Sequence, residues 1–286
     1  MKILITGSDG FLGRKLFNTL SLEHEVYGTH RQDAKDKIFS LDITNNKKAS
    51  ELSSTIKPDI LVHTAALVDI EKCEKEKELA YKINTEATQN LAGICKKLRI
   101  KMIYISTDYV FSDREKAYSI NSQPDPINYY GETKLLGEKA IRNILDDYVV
   151  IRPTILYGFN SSEDKKNFVL NVVNKLSNNE GLTLDNKRIK YPLLIDDLAK
   201  IIDKLIKSKG TGIYHVSGPD AVTKYSWGRT IAKIFRLPEE RVIGKSLNET
   251  NRPYNVRFDE SYEEGNILNL ENGLKLIKNQ IEKARL

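Results

Sequence analysis

The strongest constraint on this chain lies at its start, where the apolar run Lys2-Ile3-Leu4-Ile5-Thr6 stops at Gly7-Ser8-Asp9-Gly10-Phe11-Leu12-Gly13 and an amphipathic stretch, Phe11 to Leu20, follows at once. A strand that turns directly into a helix through three glycines leaves few folds open. The first glycine permits the tight turn, the second lets backbone amides approach a pyrophosphate, and the third lets helix and strand pack closely. Phosphates would sit at the helix N-terminus, where unpaired N–H groups and the helix dipole favour anions. Gly7, Gly10, Phe11, Leu12 and Gly13 are therefore candidate dinucleotide contacts.

The rest of the first half repeats the pattern. Apolar runs from Glu25 to Thr29, Asp59 to Thr64, Lys101 to Ser106 and Tyr148 to Arg152 read as strands, and Ala80 to Leu98 and Tyr130 to Leu145 read as long helices. Alternation of this kind, with right-handed crossovers, predicts an α/β fold: a Rossmann-like doubly wound parallel sheet. After Arg152 the alternation loosens through the polar stretch 160–164, and a helix near Ile195 to Ile206 and a strand Gly212 to Val216 are expected to return to the sheet. The expected division is a dinucleotide-binding domain of residues 1–155 with 189–217, and a smaller α/β substrate-binding domain of residues 156–188 with 218–286.

Composition narrows the function classes. The chain has 286 residues, 40% hydrophobic and 29% charged, which suits a well-filled globular core. No stretch reaches the roughly 18 apolar residues of a membrane span, and the N-terminus does not read as a signal peptide, so the expectation is a cytoplasmic protein with no membrane partner. Cys73 and Cys95 cannot build a disulfide framework and have no Cys/His cluster beside them, so no metal site is expected. The net charge of +6 fits anionic small ligands. Basic residues are interleaved with acids, as in Glu71-Lys72-Cys73-Glu74-Lys75-Glu76, which argues against a nucleic-acid surface.

Two further segments carry chemistry. Where an NAD site would place an acid at the end of the second strand, the chain reads Gly28-Thr29-His30-Arg31. A guanidinium there can clasp a 2′-phosphate, so NADP(H) is favoured and NAD(H) remains open, with Arg14 as a second contact. Tyr130 and Lys134 are four residues apart and so share one helix face. A tyrosine that titrates near ~10 in isolation becomes a usable proton donor when an ammonium lies nearby. Upstream, Ile105-Ser106-Thr107-Asp108-Tyr109-Val110-Phe111 ends a predicted strand, where ligands of open parallel sheets bind. Thr107 is the expected hydroxyl for a substrate carbonyl, with Ser106 as the fallback.

Taken together these residues resemble the short-chain dehydrogenase/reductase superfamily, to which the Gly7, Gly10, Gly13 spacing and the Tyr-x-x-x-Lys pair are similar. That resemblance implies adenine contacts at Asp42 and Ile43 and a small-residue cofactor loop at Thr64, Ala65 and Ala66. Along nearly its whole length the chain is similar to the dTDP-4-dehydrorhamnose reductase family. The carriers are Asp69 to Glu74, Ala80 to Asn84, the run Ser106 to Phe111, Gly137-Glu138, and Asn251-Arg252-Pro253-Tyr254-Asn255. The resemblance implies reduction of a nucleotide-linked 4-keto-6-deoxy sugar by a catalytic trio of Thr107, Tyr130 and Lys134. It also implies substrate contacts at Val68, Tyr109 and Arg252, the last as a diphosphate clamp. Some dehydratases of this fold use an acid at Asp108 followed by Glu; here Tyr109 follows, which favours reduction.

Three positions depart from that family. Ile155 stands where rhamnose-pathway members resemble one another in having tryptophan, and Lys15 stands where some carry a glutamate of a magnesium-bridged dimer. Lys190-Tyr191-Pro192 and Thr223-Lys224-Tyr225 look instead like the regulatory β-subunit of methionine adenosyltransferase. The partners implied are thus a nucleotide sugar, a second copy in a homodimer, and, on the alternative reading, a methionine adenosyltransferase catalytic subunit.

Overall fold

A computed structural model describes residues 1–286 except 33, 35, 162–166, 248–250, 263–266 and 285–286. Part of the polar stretch 160–164 falls outside the described residues. In chain order the first half runs β1 (Lys2–Thr6), α1 (Phe11–Leu20), β2 (Glu25–His30), β3 (Ile38–Ser40), α2 (Asn46–Ile56), β4 (Ile60–His63), α3 (Ile70–Lys75), α4 (Lys77–Tyr81), α5 (Ala87–Leu98), β5 (Lys101–Ile105), α6 (Tyr129–Ile144) and β6 (Tyr148–Pro153). The second half adds β7 (Leu156–Tyr157), α7 (Phe168–Ser177), β8 (Leu182–Asp185), β9 (Ile189–Lys190), β10 (Leu193–Leu194), α8 (Ile195–Lys207), β11 (Gly212–Val216), β12 (Val222–Thr223), α9 (Lys224–Phe235), β13 (Val242–Lys245) and α10 (Leu270–Ala284).

Seven strands form one sheet in the order β11-β6-β5-β4-β1-β2-β3, with every pairing parallel. The strands are apolar at nearly every position because both faces are covered. Ile3, Ile5, Ile103, Val149 and Ile151 pack under α1 and α8. Their sequence neighbours Leu4, Met102, Val150 and Leu61 pack on the opposite face under α2, α5 and α6. A third core joins α7, α9, α10 and β8 around Trp227, which is fully buried against Tyr157 and Phe168.

Three differences from the sequence reading have physical causes. The short edge strand β3 and the polar helix α2 were not expected; α2 is started by Asn45, whose side chain accepts from the Lys48 N–H, and ended by Lys57 in the left-handed region. The expected continuous helix from Ala80 to Leu98 is instead α4, a π-helical turn over Lys82–Glu86, and α5. In that turn the Asn84 side chain leaves the helix, binds both the N–H and the carbonyl of Leu67, and reaches Thr133 of α6. The helix yields locally because those bonds fix the loop after β4.

Candidate active site

The glycine turn has the shape its sequence demands. Gly7 sits at φ +71°, and a Cβ on Gly13 would lie 2.1 Å from the Gly7 carbonyl oxygen. The N-cap of α1 is Gly10, exposed and without a side chain over the first-turn N–H groups. Ala65 lies against Gly7, and the Thr64 hydroxyl donates to the Thr6 carbonyl at 2.6 Å, so the two loops form one backbone-lined shelf. Ala66 continues that loop. Such a shelf at an uncapped helix N-terminus fits a dinucleotide pyrophosphate.

Arg31, exposed just beyond β2, and Asp42, beyond β3, come close together. Asp42 accepts from the Thr44 N–H at 2.9 Å and its hydroxyl at 2.8 Å, bonds that with the Arg31 charge hold the carboxyl below its usual range. Ile43 is buried beneath. Arg14, the expected second contact, bridges the Asp9 carbonyl at 3.2 Å and the Ser161 hydroxyl at 3.1 Å.

The start of α6 is pinned from four sides. Asn128 caps it by accepting from Gly131 N–H at 2.8 Å and donates to the Asn251 carbonyl at 3.0 Å, while Glu74 accepts from Tyr129 N–H at 2.7 Å. Gly131 presses on the chain next to Thr107: a Cβ there would lie 2.1 Å from the Tyr109 carbonyl oxygen. That close approach puts Tyr130 beside Thr107, whose hydroxyl hydrogen-bonds the phenol, and the Tyr109 and Tyr130 rings meet edge to face at 6.2 Å. Burial pushes the Tyr130 phenol above its ordinary range, and the Thr107 bond opposes that rise. Lys134, one turn along, is buried with its Nζ 4.0 Å over the Tyr104 ring; burial pulls it down to about 7, opposed by Glu138.

Ser106, the alternative hydroxyl, is committed elsewhere: it donates to Glu138, which also receives Arg152. Thr107 is the hydroxyl at the Tyr130 phenol. Its neighbour Asp108 is buried and pushed up to about 6 by that burial, opposed by the Lys190 charge. Lys190 itself is nearly buried, donates to the Pro253 carbonyl at 3.3 Å and lies 5.3 Å over the Tyr109 ring. Sequence reasoning placed Lys190 only as a likeness; its proximity to Asp108 and Tyr109 arises from the return of β9 toward the site. Arg188, Lys224 and Arg252 add positive charge around it. Arg252 lies 3.6 Å from Glu71 at the start of α3, and Val68 stands exposed in the loop that Asn84 fixes.

Several other side chains are structural. Trp227 is core, Arg229 pairs with Glu239 at 3.1 Å, and Tyr225 packs against Gly244. Lys15 binds Asp196 at 3.0 Å, Ile155 packs against the third core, and both cysteines are buried thiols. Among the described residues no helix is long and apolar enough to cross a membrane.

A nucleotide shelf, a tyrosine and a lysine on one helix face, and a threonine at the carboxyl edge of a parallel sheet define a Rossmann-fold site of the short-chain dehydrogenase/reductase type. The chain belongs to the family described as the RmlD substrate binding domain, which matches residues 1–261. It is similar to methionine adenosyltransferase 2 subunit beta of Xenopus laevis, 30% identical over 268 residues, covering 90% of this chain and 80% of that one. It is also similar to a probable low-salt glycan biosynthesis reductase of Haloferax volcanii, 28% identical over 277 residues, covering 93% and 92%. Among solved structures, a dTDP-4-dehydrorhamnose reductase of Bacillus anthracis in complex with NADP superposes with a TM-score of 0.88, at 29% identity and 98% coverage of both chains.

Proposed function

We propose that this protein reduces the keto group of a nucleotide-linked 4-keto-6-deoxy sugar with NADP(H), NAD(H) being the lesser alternative, in a cytoplasmic dTDP-rhamnose-type pathway. The observation that carries the reading is the hydrogen-bonded pair of Thr107 and Tyr130 with Lys134 one turn along, at the carboxyl edge of the same parallel sheet as the glycine turn. Bound at that shelf, the nicotinamide cofactor supplies the hydride. Thr107 orients the substrate carbonyl, and Tyr130 gives its proton to the oxygen as negative charge develops there. Lys134, when charged, favours the phenolate left behind. Arg252, with Lys190 close by, holds the substrate diphosphate, since a guanidinium can bind phosphate bidentately. In this reading residues 1–155 with 189–217 hold the cofactor, and residues 156–188 with 218–286 cap the sugar.

Purified protein mixed with NADPH and a panel of dTDP-, UDP- and GDP-linked keto sugars should deplete NADPH absorbance with at least one of them. A flat trace across the panel would reject the reductase.

The similarity to a methionine adenosyltransferase β-subunit supports a second reading, an NADP-binding regulatory subunit. Recovery of a methionine adenosyltransferase catalytic subunit with the native protein would favour it, and loss of that partner from pull-downs would set it aside. The intact catalytic trio favours the enzyme.

A further inference from the structure

Tyr130, Lys134 and Glu138 recur at intervals of four on α6, so they stack on the face turned to β5. Lys134 and Glu138 are 2% and 1% exposed, so neither charge is solvated by water. Glu138 is held from three directions. Ser106, at the end of β5, donates to it, and Arg152 of β6 donates through Nε at 3.0 and 3.2 Å and through Nη2 at 2.6 Å. Arg152 is seated in turn over the Phe111 ring and donates to His215 Nε2 at 3.2 Å. Burial, and then the Arg152 charge, pull His215 down to about 3, so that ring is a neutral acceptor.

Stability alone is a poor reason for this arrangement. A buried ion pair can often be replaced by apolar side chains without loss, because desolvation offsets the attraction. What distinguishes this pair is its neighbour. The groups facing Lys134 are the Tyr104 ring from β5, Glu138 from its own helix, and His63 from β4, with Tyr130 one turn back on the same helix. His63 is neutral, pulled down to about 3 by burial and then by the Lys134 charge. Glu138 is the carboxylate that supports a positive Lys134 against burial.

We propose that Glu138 is a positioning residue for proton transfer at Tyr130: locked by Ser106 and Arg152, its carboxylate keeps Lys134 charged on the Tyr130 face of α6. Ser106 thereby serves the site through Glu138 and not as the substrate hydroxyl. The purpose of that charge rests on the reductase reading, but its control by Glu138 can be measured without turnover.

Protein labelled with 13C at lysine Cε is titrated by NMR, with Lys134→Met identifying the resonance. The parent midpoint, about 7, should fall by about one pH unit in Glu138→Gln, a tenfold change in the protonation equilibrium. Glu138→Asp, which keeps the charge, should recover most of the shift. An unmoved midpoint in a folded Glu138→Gln protein overturns the proposal. If the single variant does not fold, because Arg152 is left unpaired, the double variant Glu138→Gln/Arg152→Gln is compared with Arg152→Gln alone, so that the Arg152 charge is missing from both and the difference in midpoint isolates Glu138. Failure of both to fold also overturns it, in favour of a purely structural pair. A shifted lysine with no turnover on any keto sugar rejects the reductase and leaves the control of Lys134 standing.

Discussion

The two rims of the cleft are built by different means. On the rim proposed for the nucleotide, recognition would be carried by backbone: Gly7, Gly10 and Gly13 at the N-terminus of α1, with Ala65 pressed against Gly7. On the rim proposed for the sugar it would be carried by long side chains, Lys190 of β9 with Arg188 just ahead of it, Lys224 at the first residue of α9, and Arg252 in the segment before Tyr254. A backbone cradle depends on the absence of Cβ atoms and tolerates little change. Cationic side chains on loops and short strands can be exchanged singly, each changing which anion is held. On this reading a shared fold does not settle the substrate, which must be established for each chain.

The comparison can be broken most directly at the residue between the rims. Tyr130→Phe should lower kcat by about 10²- to 10⁴-fold, the usual contribution of a general acid. NADPH affinity, measured by fluorescence titration, should stay within about twofold; a matching loss of binding would place Tyr130 on the nucleotide rim instead. The next effect is on pH. In the proposed mechanism Lys134 works protonated, and burial depresses its pKa to about 7. Therefore kcat/KM should be fully present below that value and fall by about tenfold per unit above it.

Sharper tests separate the rims from each other. Arg252→Ala should raise the KM for a nucleotide sugar about tenfold or more, the loss expected for a charge-assisted contact of ~1.5–3 kcal/mol, with NADPH affinity unchanged. A change in cofactor affinity there would merge the two rims. The smallest effect belongs to Arg31→Ala. Its guanidinium is exposed, so NADPH binding should weaken only about two- to fivefold, and NADH binding should not change. Equal weakening of both cofactors would show that Arg31 does not read the 2′-phosphate.

The glycine turn was largely legible in the sequence because its residues are contiguous and their spacing has a direct geometric meaning. Strands β1, β4, β5 and β6 were placed within a residue or so, and Tyr130 and Lys134 fall on one helix as their spacing requires. The choice between Ser106 and Thr107 was not legible, since both are small hydroxyls at a strand end. What separates them is Glu138, more than thirty residues away in sequence, which accepts the hydrogen bond from Ser106. The set Ser106, Glu138, Arg152 and His215 has no local signature for the same reason. The π-helical turn at Lys82–Glu86 was hidden because its cause, the bonds from Asn84 to Leu67 and Thr133, lies in tertiary structure. The likeness at Lys190 pointed to a residue of interest without showing that β9 would carry it to Asp108.

The position of β11 has a consequence for how the chain is made. This strand pairs with β6, yet it emerges from the ribosome only after the whole excursion through α7 and α8. Until then β6, Tyr148-Val149-Val150-Ile151-Arg152-Pro153, is the unprotected margin of a growing sheet. An apolar margin of that kind invites pairing with other nascent chains. Synthesis paused within residues 154–211 should therefore leave the polypeptide most dependent on chaperones, and release past Val216 should end that dependence.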